Sequence, residues 1–395
     1  MHCQTTFTYI TDEHLAIAKI HSELNAANLC HLICYYTEEY DFTAIHEAIL
    51  KYFPDISFHG ASSCQAIMTN SGYHKGPVIA ALAIFDSGQY AYGTGIATYN
   101  TSIKASVNKA LDMALHHAEC PGEVPNLILL HSTPGKEEEI IEYIDNRFGT
   151  LVPIIGGSAA DNHIEGNWSI MTTQTYEQSG VSLTLFYSSQ PAAIAFSAGH
   201  SPTELGGIAT KTQGRCILEI DHQPALGVYR KWTKYHEQHL ARDSFLFTNT
   251  SAYPLGRVAG NLYGRPYYKL SHPVRETDDG GIELFSAVNE GEALTLMQGS
   301  REQLIARAAR VVSSAFNQKL EDSQKIGVIN IFCAGSMLHL KQDINAVCDQ
   351  INQELDNLPF ICPFTFGEQG RFIGGEHGHG NLMISSAIFH KPYEK

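Results

Sequence analysis

The stretch LILLHSTPGKEEEIIEYIDNRFGTLVPIIGGSAAD, residues 127–161, decides how this chain is read. Residues 127–131 are a short apolar run with the texture of a buried strand, 136–148 read as a helix, and 152–155 as a second strand. Together they form a strand–helix–strand unit. The unit ends on Gly156-Gly157-Ser158-Ala159-Ala160-Asp161. A glycine pair there permits close backbone approach, and Ser158 and Asp161 offer polar groups to a ligand.

Working outward, the same alternation recurs. Residues 29–36 read as a strand and 42–53 as a helix, with Ile45, Ile49 and Phe53 at helical spacing. Residues 78–85 and 90–97 read as strands joined in a hairpin through Asp86, Ser87 and Gly88. A stripe of Ile103, Val107, Leu111 and Leu115 marks a helix over 102–118. Strands at 182–187 and 192–197 are expected to complete a first lobe. Beyond it come a strand at 215–220, a helix at 224–239 and a strand-rich stretch from 256 to 297. Helices at 301–320 and 337–355 and strands at 326–333, 360–366 and 381–389 close the chain. The expected fold is α/β and two-lobed, with mixed β-sheets flanked by helices and a ligand cleft between the lobes, divided as 1–220 and 221–395. No repeat with a period of ~20–50 residues is visible, which excludes a solenoid or propeller.

Composition narrows the function. The 395 residues are 44% hydrophobic and 17% charged, with 26 basic against 41 acidic side chains and a formal net charge of −15. A nucleic-acid binder needs a basic surface to displace counterions, and an anionic membrane asks for the same. The basic residues here are scattered, so both partners are excluded. The first 20 residues hold Asp12, Glu13 and His14 and read as no signal peptide. No run approaches the ~18 apolar residues of a membrane helix, and the expected location is cytoplasmic. Nine dispersed cysteines, mostly inside apolar runs, read as reduced core thiols.

Few motifs carry chemistry alone. Residues 156–161 loosely match a nucleophile elbow, with alanine where the second glycine belongs, which raises a serine hydrolase using Ser158 as a lesser reading. Gly93 and Gly95 belong to a strand pattern and lack the strand–turn–helix setting of a dinucleotide site. Cys30 and Cys34, four apart on a strand, lie ~13 Å apart, too far to share a zinc. His236 and His239 miss the zinc-protease spacing by one residue. Glu376, His377 and His379 sit in a glycine-rich loop and could contact a ligand. Gly199-His200-Ser201-Pro202 leaves a strand containing Phe196 at the lobe junction, where an imidazole can point into an apolar cleft and ligate a metal.

Several of these segments together resemble the FIST family of sensory proteins. Gly60-Ala61-Ser62-Ser63-Cys64 is similar to the family's Gly-Cys-Ser-Thr turn, with Ala61 where cysteine is usual, and 156–161 to its Gly-Gly-Ser-Ala-Gly-Asp turn. Residues 199–202 followed by 219–229 resemble the segment joining its two domains. Cys333-Ala334-Gly335-Ser336, Phe366-Gly367-Glu368 and Asn381-Leu382 fall on later signatures, in order along nearly the whole chain.

The resemblance implies a non-enzymatic two-domain sensor. One branch resembles nitric-oxide-sensing haem proteins that act on histidine kinases, and His200, where an aromatic is usual, favours that branch. In this reading His200 is the metal ligand, Phe196 and Pro202 flank the haem, nitric oxide is the signal, and a homodimer is compatible. The alternative is a haem-free sensor of an amino acid or related metabolite. Its implied ligand contacts are Gly157, Ser158, Asp161, Glu368, Arg371 and His377. Ser336 in place of arginine, and the missing histidine directly before Asn381, depart from the family's pattern and speak against an amino-acid ligand.

Overall fold

The computed structural model describes residues 1–24, 28–99, 102–233, 250–262, 264–316 and 323–392. Three successive portions of chain build the same series of elements. The first is β1 (His2–Thr8), α1 (Glu13–Glu23), β2 (Leu29–Tyr36), α2 (Phe42–Tyr52), β3 (Ser57–Ser62), the hairpin β4 (Ala66–Thr69) and β5 (Gly72–Lys75), and β6 (Ile79–Phe85). The second is β7 (Ala91–Thr98), α3 (Ile103–Ala118), β8 (Leu127–Ser132), α4 (Glu137–Phe148), β9 (Ile154–Ser158), the hairpin β10 (Ile170–Thr172) and β11 (Tyr176–Glu177), and β12 (Gly180–Tyr187).

The third portion opens with β13 (Ala192–Ala198) and is then interrupted by an insert. The insert holds β14 (Ser201–Gln213), β15 (Cys216–Ile220), β16 (Gln223–Pro224), α5 (Ala225–Thr233), β17 (Leu255–Leu262), β18 (Arg265–Ser271), β19 (Pro273–Glu276), β20 (Ile282–Leu284) and β21 (Ala293–Gln298). The series resumes with α6 (Arg301–Phe316), β22 (Ser323–Cys333), α7 (Ala334–Leu340), α8 (Ile344–Leu355), β23 (Phe360–Thr365), the hairpin β24 (Glu368–Arg371) and β25 (His377–Gly380), and β26 (Met383–Pro392). Local chemistry starts the helices: Asp12, Asp41 and Ser102 accept bonds from the backbone N–H of Leu15, Thr43 and Ala105.

The three portions make three six-stranded sheets with one plan, ordered β1-β6-β2-β3-β10-β11, β7-β12-β8-β9-β24-β25 and β13-β26-β22-β23-β4-β5. In each, one parallel pair (β2 with β3, β8 with β9, β22 with β23) is bridged by a helix. In each, too, the outer hairpin comes from another portion of the chain. The hairpins are exchanged in a closed ring, and three backbone bonds join its members: Cys64 N–H to Phe364 O at 3.0 Å, Ala160 N–H to Ser62 O at 3.1 Å, and Phe366 N–H to Ser158 O at 3.0 Å. The donor follows the acceptor's counterpart by two residues every time, so Ser62, Ser158 and Phe364 are equivalent positions of a pseudo-threefold body.

Both faces of these sheets are covered, which is why their strands read as continuous apolar runs. Outward residues pack under helices, as Leu32 and Cys34 do with Ile17 and Ile45, and Ile128 and Leu130 with Leu111 and Ile140. Inward residues of all three sheets share one core containing Ile33, Leu129, Ile155, Ile329 and Phe389. The insert forms a fourth sheet, ordered β18-β17-β21-β14-β15-β20-β19. The fold is thus α/β with three mixed sheets and one antiparallel sheet flanked by helices, in two lobes: the threefold body and the inserted sheet. Across residues 220 and 221, β15 pairs with β16.

Two expectations are corrected. β6 and β7 do not pair as a hairpin; β6 lies between β1 and β2, and β7 pairs with β12 in another sheet. β13 pairs with the carboxy-terminal β26 rather than with strands of the first half. Alternation in sequence reveals strands, but the hairpin exchange chooses their partners. The 224–239 helix is described only over Ala225–Thr233, and His236 and His239 lie outside the described residues. Among the described residues no helix is long and apolar enough to cross a membrane.

The glycines of β7 set how closely α3 approaches. A Cβ on Gly95 would stand 1.9 Å from Ala110 O, and one on Gly93 2.0 Å from Ala114 O. Gly95→Ala is expected to destabilise the protein by about 2–3 kcal/mol through overpacking, measured as a lowered denaturation midpoint. Gly227→Ala, where a Cβ meets nothing, is expected to be neutral or stabilising.

Candidate functional site

The pseudo-symmetry exposes where the body departs from its own pattern. The registers of Ile67 with Pro363, Ile170 with Ala61 and Glu368 with Gly157 make Ile67, Ile170 and Glu368 equivalent. Two repeats carry isoleucine; the third carries a fully buried carboxylate. Glu368 accepts bonds from Thr365 Oγ1 at 3.0 Å, Met383 N–H at 3.1 Å and Gly367 N–H at 3.3 Å. Burial pushes its carboxyl up to about 7 despite these donors. The double glycine before Ser158 is sterically required, since a Cβ on Gly157 would lie 2.4 Å from Thr365 Oγ1 and one on Gly156 1.8 Å from Leu130 O.

Beside this centre the insert is latched to the body. Ser158 Oγ donates to Glu137 Oε1 at 2.7 Å. Arg215, from the insert, lies 2.6 Å from Glu137 and 3.0 Å from Glu138. Glu138 also accepts from Ala287 N–H at 3.0 Å and contacts His379 Nδ1 at 3.1 Å. Burial alone would raise the Glu138 carboxyl, but His379, Arg215 and the Ala287 amide outweigh it and hold it well below the usual range. The pull of Glu138 and Glu137 likewise overcomes burial and raises His379. Glu137, Glu138 and His379 present ligand atoms within 4.8 Å of one another. Arg215 already balances both carboxylates, and the cluster works as an ion-paired clamp.

A cavity of about 630 Å³ opens between the lobes. The body contributes Phe196 and Ser197 of β13, Arg307 and Arg310 of α6, and Arg371 and Phe372 from β24 and the loop after it. The insert contributes His200, Pro202, Tyr267 and Met297. Both chain crossings into the insert meet at its edge: a Cβ on Gly299 would lie 2.7 Å from the His200 ring. His200 Nε2 lies 2.7 Å from Ser251 O, so it carries the hydrogen, and the buried Nδ1 atom has no partner among the described residues. Burial pushes the imidazole down to about 4, leaving it neutral at pH 7. That arrangement, with one nitrogen held by a carbonyl and a lone pair on the other, is how a histidine is prepared as a metal ligand.

The structure therefore brings His200, Phe196, Pro202 and Arg371 to one cavity. Gly157, Ser158 and Glu368 converge instead on the buried pseudo-threefold centre. Asp161 spends its carboxylate on the backbone N–H groups of Ile164, Glu165, Gly166 and Asn167, at 2.5 to 3.0 Å. His377 Nδ1 contacts Asp145 at 2.5 Å. Sequence reasoning missed Arg307 and Arg310, whose helical spacing announces a solvated face until β13 and the insert are packed beside it.

A family model for the FIST N domain matches residues 30–223, and one for the FIST C domain matches residues 225–371. The chain belongs to the FIST family, whose domains are associated with small-ligand sensing in signal transduction. Among curated proteins none matches the sequence. A crystal structure of cyanuric acid hydrolase from A. caulinodans is similar over 98% of both chains, at 6% identity and a TM-score of 0.36. The expectation that the chain is no enzyme is corrected on this finding: a match spanning both chains is a hydrolase, and the exclusion of catalysis is withdrawn. At that similarity it assigns neither a reaction nor a residue.

Removing Arg215 leaves Glu137, 1% exposed, as a buried unpaired charge. Arg215→Met is expected to cost about 3 kcal/mol by equilibrium denaturation, with most of it recovered in the Arg215→Met, Glu137→Gln double variant. Glu368 should give a pH signature. Between its unfolded value near 4.5 and its folded value of about 7, the folded chain keeps a proton the unfolded chain has lost. Its contribution is full below the unfolded value and is lost as pH rises towards 7. Glu368→Gln should abolish this slope, so denaturation at pH 5 and pH 8 should show wild type losing stability relative to the variant.

Proposed function

We propose that the chain is a cytoplasmic small-ligand sensor that holds haem in the cleft between the insert and the body, reports nitric oxide, and modulates a partner histidine kinase. The observation that carries this reading is His200, a neutral, half-buried imidazole whose Nδ1 has no partner among the described residues, at the edge of a 630 Å³ cavity. Cofactor and ligand pockets of ~300–1,000 Å³ are typical. Phe196 and Phe372, with ring centroids 4.9 Å apart, and Tyr267, 5.6 Å from Phe372, supply the aromatic wall such a group packs on. When bound, haem supplies an iron at which a diatomic gas is taken up.

The chain's own residues supply the coupling. His200 stands where the body passes into β14, and Gly299 where β21 returns to α6, so tension on the imidazole acts on both connections of the insert at once. Arg215 and Glu138 fasten the insert at a second point, giving a lobe that pivots between a hinge and a latch. A ligand that prefers one setting of that lobe shifts its population, and the partner kinase reads the shift.

Purified full-length protein mixed with haemin is expected to develop a Soret band that moves on addition of nitric oxide. His200→Ala should weaken and displace that band. A wild-type protein that takes up no haemin, or a His200→Ala spectrum identical to wild type, would overturn the reading.

A further inference from the structure

The cavity carries a charge pattern that a metal-ligating histidine does not explain. The chain has a formal net charge of −15, yet among the described residues no aspartate or glutamate lines this space, while Arg307, Arg310 and Arg371 do. Among the described residues none of the three pairs with a carboxylate. Arg307 donates from Nη2 to Ser197 Oγ, and its Nε is buried without a partner. Arg371 donates from Nε to Gly375 O at 3.2 Å and from Nη1 to Leu151 O at 3.5 Å, and Arg310, which is exposed, reaches the Gln303 carbonyl at 3.5 Å. Burial, and then the neighbouring Arg310, push the Arg307 guanidinium down from its ordinary range. Elsewhere the protein pairs its part-buried guanidiniums, as Arg215 with Glu137 and Arg257 with Glu292.

We propose that Arg307, Arg310 and Arg371 form an anion cradle, and that the cleft's ligand is an organic polycarboxylate whose apolar body lies on the Phe196, Phe372 and Tyr267 wall. Guanidinium forks match carboxylates bidentately, and such charge-assisted bonds are roughly twice as strong as neutral ones. An anion also removes the repulsion between Arg307 and Arg310. The inference goes beyond the haem reading, since it stands on the guanidiniums alone. Haem, which bears two carboxylates, is one member of the class.

The test uses haem-free full-length protein and benzene-1,3,5-tricarboxylate, with uncharged benzene-1,3,5-trimethanol as the control, by isothermal titration calorimetry. One tricarboxylate is expected per chain with a Kd below about 1 mM, weakening as salt rises, while the triol gives no heat. Arg307→Gln and Arg371→Gln should each weaken binding about tenfold or more, whereas Lys231→Gln, on the exposed side of α5, should leave it unchanged. Thermal unfolding of each variant checks folding, and the salt and triol comparisons need no variant. Absence of tricarboxylate binding, equal binding of the triol, or binding that survives both arginine substitutions in folded protein would overturn the cradle. Arginine-dependent binding without a Soret band keeps the cradle and discards haem; a His200-dependent Soret band without tricarboxylate binding does the reverse.

Discussion

The body depends on a ring of exchanged hairpins. No repeat can complete its own sheet, because the strands that should extend β3, β9 and β23 are supplied by β10, β24 and β4 of other repeats. The three inter-repeat backbone bonds close this ring around the shared core. A buried strand edge without its partner leaves amide and carbonyl groups unsatisfied, at a cost of ~1–3 kcal/mol each. Assembly of the body is therefore all-or-none across nearly the whole chain, and the first and last strands are bound to one unit.

Two departures break the symmetry of the body. The insert is attached to the third repeat alone, between β13 and α6. The equivalent of two buried isoleucines becomes Glu368 in the same repeat. The insert is held over the body by Arg215 and by the bond from His272 N–H to Asn381 Oδ1 at 3.1 Å. The cavity lies between the restrained lobe and the body, with Arg307 and Phe196 on the body's side.

Charge then separates the latch from the cavity. At the latch, cation and carboxylates are matched within 3.0 Å, and the contact is self-sufficient. At the cavity the cations are left unmatched, and the histidine keeps a lone pair free. Unmatched buried polar groups are costly in a folded protein, and two of them, His200 Nδ1 and Arg307 Nε, stand at this opening.

What was legible in the sequence follows from local physics. Apolar runs and helical stripes predicted most elements, including the strand–helix–strand unit at 127–155, because burial on both sheet faces writes itself into consecutive residues. The ordered turns pointed to the family, and Gly199 to Pro202 pointed to the lobe junction, because glycine, proline and a lone histidine leaving a strand are rare enough to stand out. The partner of each strand was not legible. Exchange joins residues such as Ile67 and Pro363, which periodicity within a segment cannot relate. The threefold plan was hidden for the same reason, its three repeats sharing geometry while equivalent residues such as Ser158 and Phe364, or Ile170 and Glu368, differ in kind. Arg307 and Arg310 became part of a site only when folding set them against β13, β18 and the 371–375 loop. The chain's own order determined which segments would be strands, helices and turns; only packing at a distance decided which charges would be left facing an open space, because that depends on what every other residue has already neutralised.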